Sequence, residues 1–162
     1  MIAIDFESPN YLEVVFAALF AKLKTAKFGG SIVVKSFQRA VQPPDQIDAA
    51  NQPALLLIEG LLGESQEGLF GPAKWHLGAF AVVYLRADGS SASQQQVSPA
   101  TQANWITWGI ALALGVTYPP YQKQTLDGLV YHCWVDGQVS VEVVDQQVVV
   151  VVPISLLLGP VG

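Results

Sequence analysis

The pattern of this chain predicts an α+β fold: a mixed, largely antiparallel β-sheet packed by two α-helices. Three observations carry the prediction. Leu12, Val15, Phe16, Leu19, Phe20 and Leu23 recur at helical spacing, and a second helical pattern follows Ser98-Pro99. Between them, residues 74–86 place Trp75, Leu77, Ala79, Ala81, Val83 and Leu85 on one face of a strand, with His76, Phe80, Val82 and Tyr84 on the other. The stretch 124–158 then reads as an antiparallel β unit that both helices need as a packing surface. At 162 residues the chain is expected to be a single domain, 1–162. A chain of that length buries roughly 68–70% of its unfolded surface, enough for a core without staples.

In chain order, Ser8 and Pro9 look like an N-cap and a first helical position, so a helix is expected over residues 9–25, stopping near Gly29-Gly30. Residues 31–38 read as a strand and 39–52, with Pro43-Pro44, as a surface loop. Residues 53–59 form an apolar strand, 64–72 a turn or longer hairpin loop, and 74–86 the long strand. Residues 87–98 (ADGSSASQQQVS) are a polar, low-complexity connector. The second helix is expected from about Pro99 to Leu114. Residues 117–123 make an aromatic, proline-rich loop; in Pro119-Pro120-Tyr121 the tyrosine stands one position too early for a WW-domain ligand.

The C-terminal unit is the most legible. A turn at Leu126, Asp127 and Gly128 leads into a strand over 129–135. Asp136-Gly137 marks either a hairpin turn or a bulge. Val139, Val141 and Val143 alternate with Ser140 and Glu142, the signature of a half-buried strand. Asp145, Gln146 and Gln147 make a turn, and residues 148–152 are apolar on both faces, as in a strand covered on both sides. Pro153 cannot donate to a ladder, so this strand is expected to end there or lie at an edge.

Composition narrows function. Hydrophobic residues are 51% and charged residues 13%, against about 25% charged in ordinary domains. Residues 89–122 and 146–162 hold no charged residue, and neutral apolar stretches of that length point to surface covered by another protein. The net charge of −5 argues against a surface that grips nucleic acid. Lys22, Lys24 and Lys27 are the one basic cluster, at a helix end where cations complement the dipole. The N-terminus has no basic region of a signal peptide, and the longest apolar run, 148–158, is far short of the ~20 residues of a membrane helix.

No chemical signature is present. The lone cysteine, Cys133, excludes an intramolecular disulfide and fits folding in a reducing compartment. Adjacent strand residues point to opposite faces, so His132 and Cys133 do not form a base–nucleophile pair; a buried thiol and a hydrogen-bonded histidine are expected. His76, His132 and Cys133 would ligate a metal only if distant strands converge, and CxxC, HxxxH and carboxylate clusters at ligand spacing are missing. Glu59, Glu64 and Glu67 flank a turn and read as solvated. Neither a phosphate-binding glycine loop nor a GxSxG serine occurs. The expectation is no catalytic, metal or cofactor site, and no cofactor. Other readings are a small-molecule pocket between Trp75, Tyr84 and Trp134, or a hydrolase whose nucleophile has no sequence signature.

Gln124-Thr125-Leu126, Gly128 through Gly137 (GLVYHCWVDG) and Val152-Pro153-Ile154, with Gln52-Pro53-Ala54-Leu55 upstream and the spacing of the two helices, carry a resemblance. The chain resembles tail-terminator or tail-completion (neck) proteins of tailed bacteriophages, departing at Asp127, where glycine is expected. The resemblance implies a virion structural protein, assembled in the host cytoplasm, that caps the tail tube and takes part in head–tail joining as a hexameric ring. Its implied partners are further copies of itself, the tail tube protein and the head–tail connector protein, with DNA a passive cargo in the channel and no membrane partner.

Two surfaces are expected to serve that role. On the second helix Ala103, Ile106, Ile110, Ala113 and Leu114 share one face, which should lie on the sheet. Trp105, Trp108 and Leu112 share another and are candidates for a subunit interface. The connector, with Asp88, Gln94, Gln95 and Gln96, is a candidate partner-contact loop that orders on binding.

Overall fold

The computed structural model describes residues 9–30, 32–66, 73–87, 97–115 and 124–158. Their order is α1 (Tyr11–Leu23), β1 (Ser36–Gln38), β2 (Ala54–Gln66), β3 (Ala73–Arg86), α2 (Pro99–Ala113), β4 (Val130–Val135), β5 (Ser140–Val144) and β6 (Gln147–Leu158). The strands make one sheet in the order β1-β2-β3-β6-β4, with β5 pairing β6 as well. β1 runs parallel to β2 and every other pairing is antiparallel. This is the expected α+β fold with a mixed, largely antiparallel sheet and two helices.

Period-2 alternation sorts the strands into two faces. The inner face carries Leu55 and Leu57 of β2, Leu77 to Leu85 at alternate positions of β3, Val130 and Cys133 of β4, and the even-numbered residues 148–158 of β6. Both helices pack there, α1 through Val15, Phe16, Leu19 and Leu23 and α2 through Ile106, Ile110 and Leu114. A smaller cluster of Ala54, Leu56, Val82 and Tyr84 on the outer face lies with buried Ile47, between the short 3-10 turns Pro44–Gln46 and Ala49–Asn51. Gln52, fully buried, ties that loop to the sheet. Its amide donates to the Ile47 carbonyl at 3.0 Å, and its oxygen accepts from Gln147, which also donates to the Leu85 carbonyl at 2.8 Å. Arg39 clamps α1 to β2 by pairing with Glu13 and Glu59, and that guanidinium holds the Glu13 carboxyl below its ordinary value.

Several local expectations need correction. Asn10 takes the N-cap position and α1 begins at Tyr11, so Pro9 lies in the preceding turn; Ser8 lies outside the described residues. The strand expected over 31–38 contracts to Ser36–Gln38. Its partner β2 starts at Ala54, and Pro53 before it offers no N–H, so upstream only the Lys35 N–H finds a carbonyl, that of Pro53, at 2.8 Å. β2 is longer than expected, because a bulge between Glu59 and Leu62 carries it past Gly60 and on to Gln66. The Pro119-Pro120-Tyr121 loop and Glu67 lie outside the described residues.

Pro153 neither ends its strand nor lies at an edge. β6 continues to Leu158 and sits between β3 and the β4–β5 edge. The Pro153 carbonyl accepts from the Asp136 N–H at 3.0 Å, so its own nitrogen faces the same way, toward the gap between β4 and β5. No bond to β3 is lost. β4 pairs residues 154–158 and β5 pairs 147–151 of the same strand, so the two are one edge line interrupted at 136–139, and the hairpin alternative at Asp136-Gly137 does not hold. The hairpin lies between β5 and β6, where Asp145 and Gln146 both have positive φ. Asp127, too, adopts a left-handed φ of 59°, the conformation that makes glycine the expected residue there.

Helix α2 starts where expected: the Ser98 hydroxyl accepts from the Thr101 N–H at 3.3 Å, with Pro99 in the first turn. Its Gly109 lets the segment before β1 pack against the helix. A Cβ there would sit 2.7 Å from the Lys27 carbonyl oxygen and against the Phe28 ring. Gly109→Ala is therefore expected to destabilise the chain by about 1–3 kcal/mol, through overpacking against backbone. Urea denaturation measures it, and an unchanged or stabilised variant would show that the helix propensity of alanine outweighs the contact.

Candidate functional site

The β5 edge exposes Val141, Val143 and Val144, and α2 exposes Trp108 and Leu112. β5 pairs β6 on one side, and among the described residues nothing pairs its other side. The expectation of a half-buried strand fails here: all five residues are exposed, with Val143 at 51% and Val144 at 64%. Pairing with Val150 and Val148 puts Val141 and Val143 on the helix side of the sheet, and although α2 comes near β5 it leaves both exposed. Between helix and strand lies a hollow of about 330 Å³ lined by Ala100, Asn104, Thr107, Trp108, Val139 and Val141.

The three helix residues expected at a subunit interface separate. Trp108 and Leu112 are exposed, at 59% and 48%. Trp105 is half-buried and packs beside the core against the chain's own Gly29-Gly30, where a Cβ on Gly29 would approach its Cδ1 to 2.6 Å. Trp105 is thus covered by a segment distant in sequence, which helix periodicity does not reveal. Of the face expected on the sheet, Ala103, Ile106, Ile110 and Leu114 are buried in the core, whereas Ala113 is half-buried. The connector residues Asp88, Gln94, Gln95 and Gln96 lie outside the described residues.

The opposite edge has a different character. A hollow of about 460 Å³ lies beside β1, lined by Lys24, Lys27, Phe28, Ile32, Val33 and Phe37 among others. Val33 is 54% exposed, and the Lys24 ammonium sits 4.4 Å from the centre of the Phe20 ring, a cation–π contact.

The residues with chemical potential are engaged in structure. Cys133 is fully buried in the core, and burial pushes its thiol up to about 12. His132 is on the other face of β4: its Nδ1 accepts from the Gln124 N–H at 3.1 Å, and its ring stacks on Trp134 at 4.9 Å. His76 stacks on the same indole at 6.4 Å, and both histidines lie at the level of Leu157, which separates β3 from β4. Two imidazoles therefore do converge on one face, around an indole, while Cys133 is excluded from it. Among the described residues no group of three His, Cys, Asp or Glu side chains is placed to hold a metal.

The pocket expected between Trp75, Tyr84 and Trp134 does not form. Trp75 and Tyr84 are nine positions apart on β3, about 30 Å at 3.3 Å per residue, and on opposite faces. Tyr84 is buried under the 39–52 loop, with its hydroxyl donating to the Gln42 carbonyl at 3.0 Å. No helix among the described residues is long and apolar enough to cross a membrane. No protein-family model matches the chain, and no curated protein matches it.

Two outcomes test this placement. Cys133 is expected to react slowly with a thiol reagent at pH 8 in the native state and quickly in urea, since the thiol is neutral and covered. Rapid native labelling would place it at a reactive site. Trp105→Ala is expected to cost about 2–3 kcal/mol in monomer stability, while Trp108→Ala changes it by less than about 0.5 kcal/mol. Equal costs in urea denaturation would put both tryptophans in the same environment and contradict their separation.

Proposed function

We propose that this chain is a structural virion protein of a tailed bacteriophage: a tail terminator that assembles as a hexameric ring, caps the tail tube and takes part in head–tail joining. It works by geometry and contact, without bond-making chemistry and without a cofactor. Its partners are further copies of itself, the tail tube protein and the head–tail connector protein; DNA passes the channel as cargo. It acts in the virion after assembly in the host cytoplasm.

The observation that carries the reading is the exposed apolar edge of β5 with Trp108 and Leu112 beside it. An unpaired valine-rich strand with an adjoining tryptophan is a surface prepared for another polypeptide. Cys133 and His132, the residues with most chemical promise, are both taken up in core and hydrogen bonding, which favours a contact function over a catalytic one. The motifs that carry the phage resemblance fall on the 124–128 turn, β4 and β6, next to that edge, and, for Gln52-Pro53-Ala54-Leu55, at the start of β2. Closed cyclic symmetry suits a protein that must match the end of a tube.

The purified chain is expected to sediment as a closed assembly of about six 17.4 kDa copies, roughly 104 kDa, alone or with tube protein. Negative-stain images should show rings, and added protein should stop growth of tube polymers at their tips. A chain that stays monomeric at high concentration and leaves tube growth unchanged would overturn the proposal.

A further inference from the structure

Charge is divided across the sheet. Residues 22–39 hold Lys22, Lys24, Lys27, Lys35 and Arg39 and no acid; these are five of the chain's eight basic residues. Residues 97–115 and 124–158, which make α2, β4, β5 and β6, hold Asp127, Asp136, Glu142 and Asp145 and no Lys or Arg. The first segment ends in β1 and the second contains β5, and these strands bound opposite ends of the sheet. At the β1 edge Arg39 is paired with Glu13 and Glu59, and Asp48 lines a hollow with Ser36 and Gln38, so the basic character there is local to Lys24, Lys27 and Lys35; the β5 edge is acidic, and each edge exposes apolar side chains: Val33 and Phe37 beside β1, Trp108, Leu112, Val141 and Val143 beside β5.

We propose that two copies of this chain dock head to tail, the β5–α2 edge of one seating on the β1 edge of the next. The occupant is a second copy because the complement to each edge, in charge and in apolar character, is present on the chain itself. The β1-side hollow, apolar with Lys24 and Lys27 in its wall, suits an exposed indole such as Trp108, over which an ammonium is favoured. Strand direction agrees. β6 runs parallel to β2 and β1, since it is antiparallel to β3 and β3 to β2, and β5 runs opposite to β6. A neighbour related by rotation about an axis along the strands would thus present β1 antiparallel to β5, the pairing a short edge makes most readily.

The two-fold alternative, β5 against β5, is disfavoured by the same residues. Antiparallel self-pairing about the middle of β5 sets Glu142 opposite its own copy, and brings two acidic edges together. A head-to-tail contact leaves both edges free to repeat and so generates a ring, whereas a two-fold contact stops at a dimer. This inference deepens the ring reading and rests on its self-association.

A charge swap tests it. Lys24→Glu with Lys35→Glu reverses one edge, and Glu142→Lys with Asp145→Lys the other; all four side chains are exposed. In sedimentation velocity each double variant alone should fall to monomer, with association weakened at least about tenfold. The equimolar mixture should reassemble, because each reversed edge then meets a complementary one. Wild-type association should also weaken in about 1 M salt, a readout independent of any substitution. A wild type that is monomeric, an assembly indifferent to salt, a β1-edge variant that still dimerises, or a mixture that fails to reassemble would each overturn head-to-tail docking. The neck role fails separately: an assembly that obeys the swap yet ignores tube tips would keep this contact and reject that role.

Discussion

The sheet depends on the backbone of β6. It is paired along its whole length by β3 on one side and, on the other, by β4 and β5 except at Val152 and Pro153. Its alternate valines and leucines at even positions lie under the helices, and Val149 and Val151 meet the outer cluster. A strand in that position must satisfy its donors and acceptors on both sides. Pro153 cannot donate, and the structure accommodates it by turning its nitrogen toward the one place where the neighbouring line is broken. The break carries Gly137, at a φ of 107°, and Asp136, which accepts from the Ser155 hydroxyl at 2.8 Å. Beyond the break, β5 is tied to the sheet on one side only.

Much of the architecture was legible because it rests on period and caps. The alternation along residues 74–86, the Ser98-Pro99 start and the turn at Asp145-Gln146, read one residue too long because Gln147 opens β6, are local signals, and local signals survive folding. The misreadings share a cause: each needed knowledge of a distant partner. β1 is short because β2 begins after Pro53. Pro153 is central because the gap in β4–β5 lies opposite it. Trp105 is covered because Gly29-Gly30 reach it, and β5 is bare although α2 approaches both β5 and β6. Alternation in β5 correctly marked a strand but not its cover, since Val141 and Val143 look the same in sequence whether a helix or nothing lies above them. As for the candidate site, Trp108 and Leu112 were placed on an outward side by helix angle alone, whereas the division of charge becomes visible only when the strand order sets residues 22–39 and 124–158 at opposite ends.

The low charge content also acquires a physical sense. Covering a surface removes its charged groups from water at a cost that their pairing does not always recover. A region such as 97–115, with no charged residue, carries no such penalty when covered; its exposed or half-buried Thr and Asn side chains require only hydrogen bonds or a place at the rim. On the proposed reading, apolar and neutral groups supply the attraction across the contact. The few charges flanking it select the partner edge and its orientation, which is the role charges perform best at interfaces. Separating the two tasks lets one chain carry both halves of a contact without joining to itself face to face. Glu142 in the middle of β5 discourages the pairing of like edges, as charged residues on edge strands generally do, yet it leaves the strand able to accept an edge bearing lysines. The same residue that guards the free edge against indiscriminate pairing is then the one that recognises the intended neighbour.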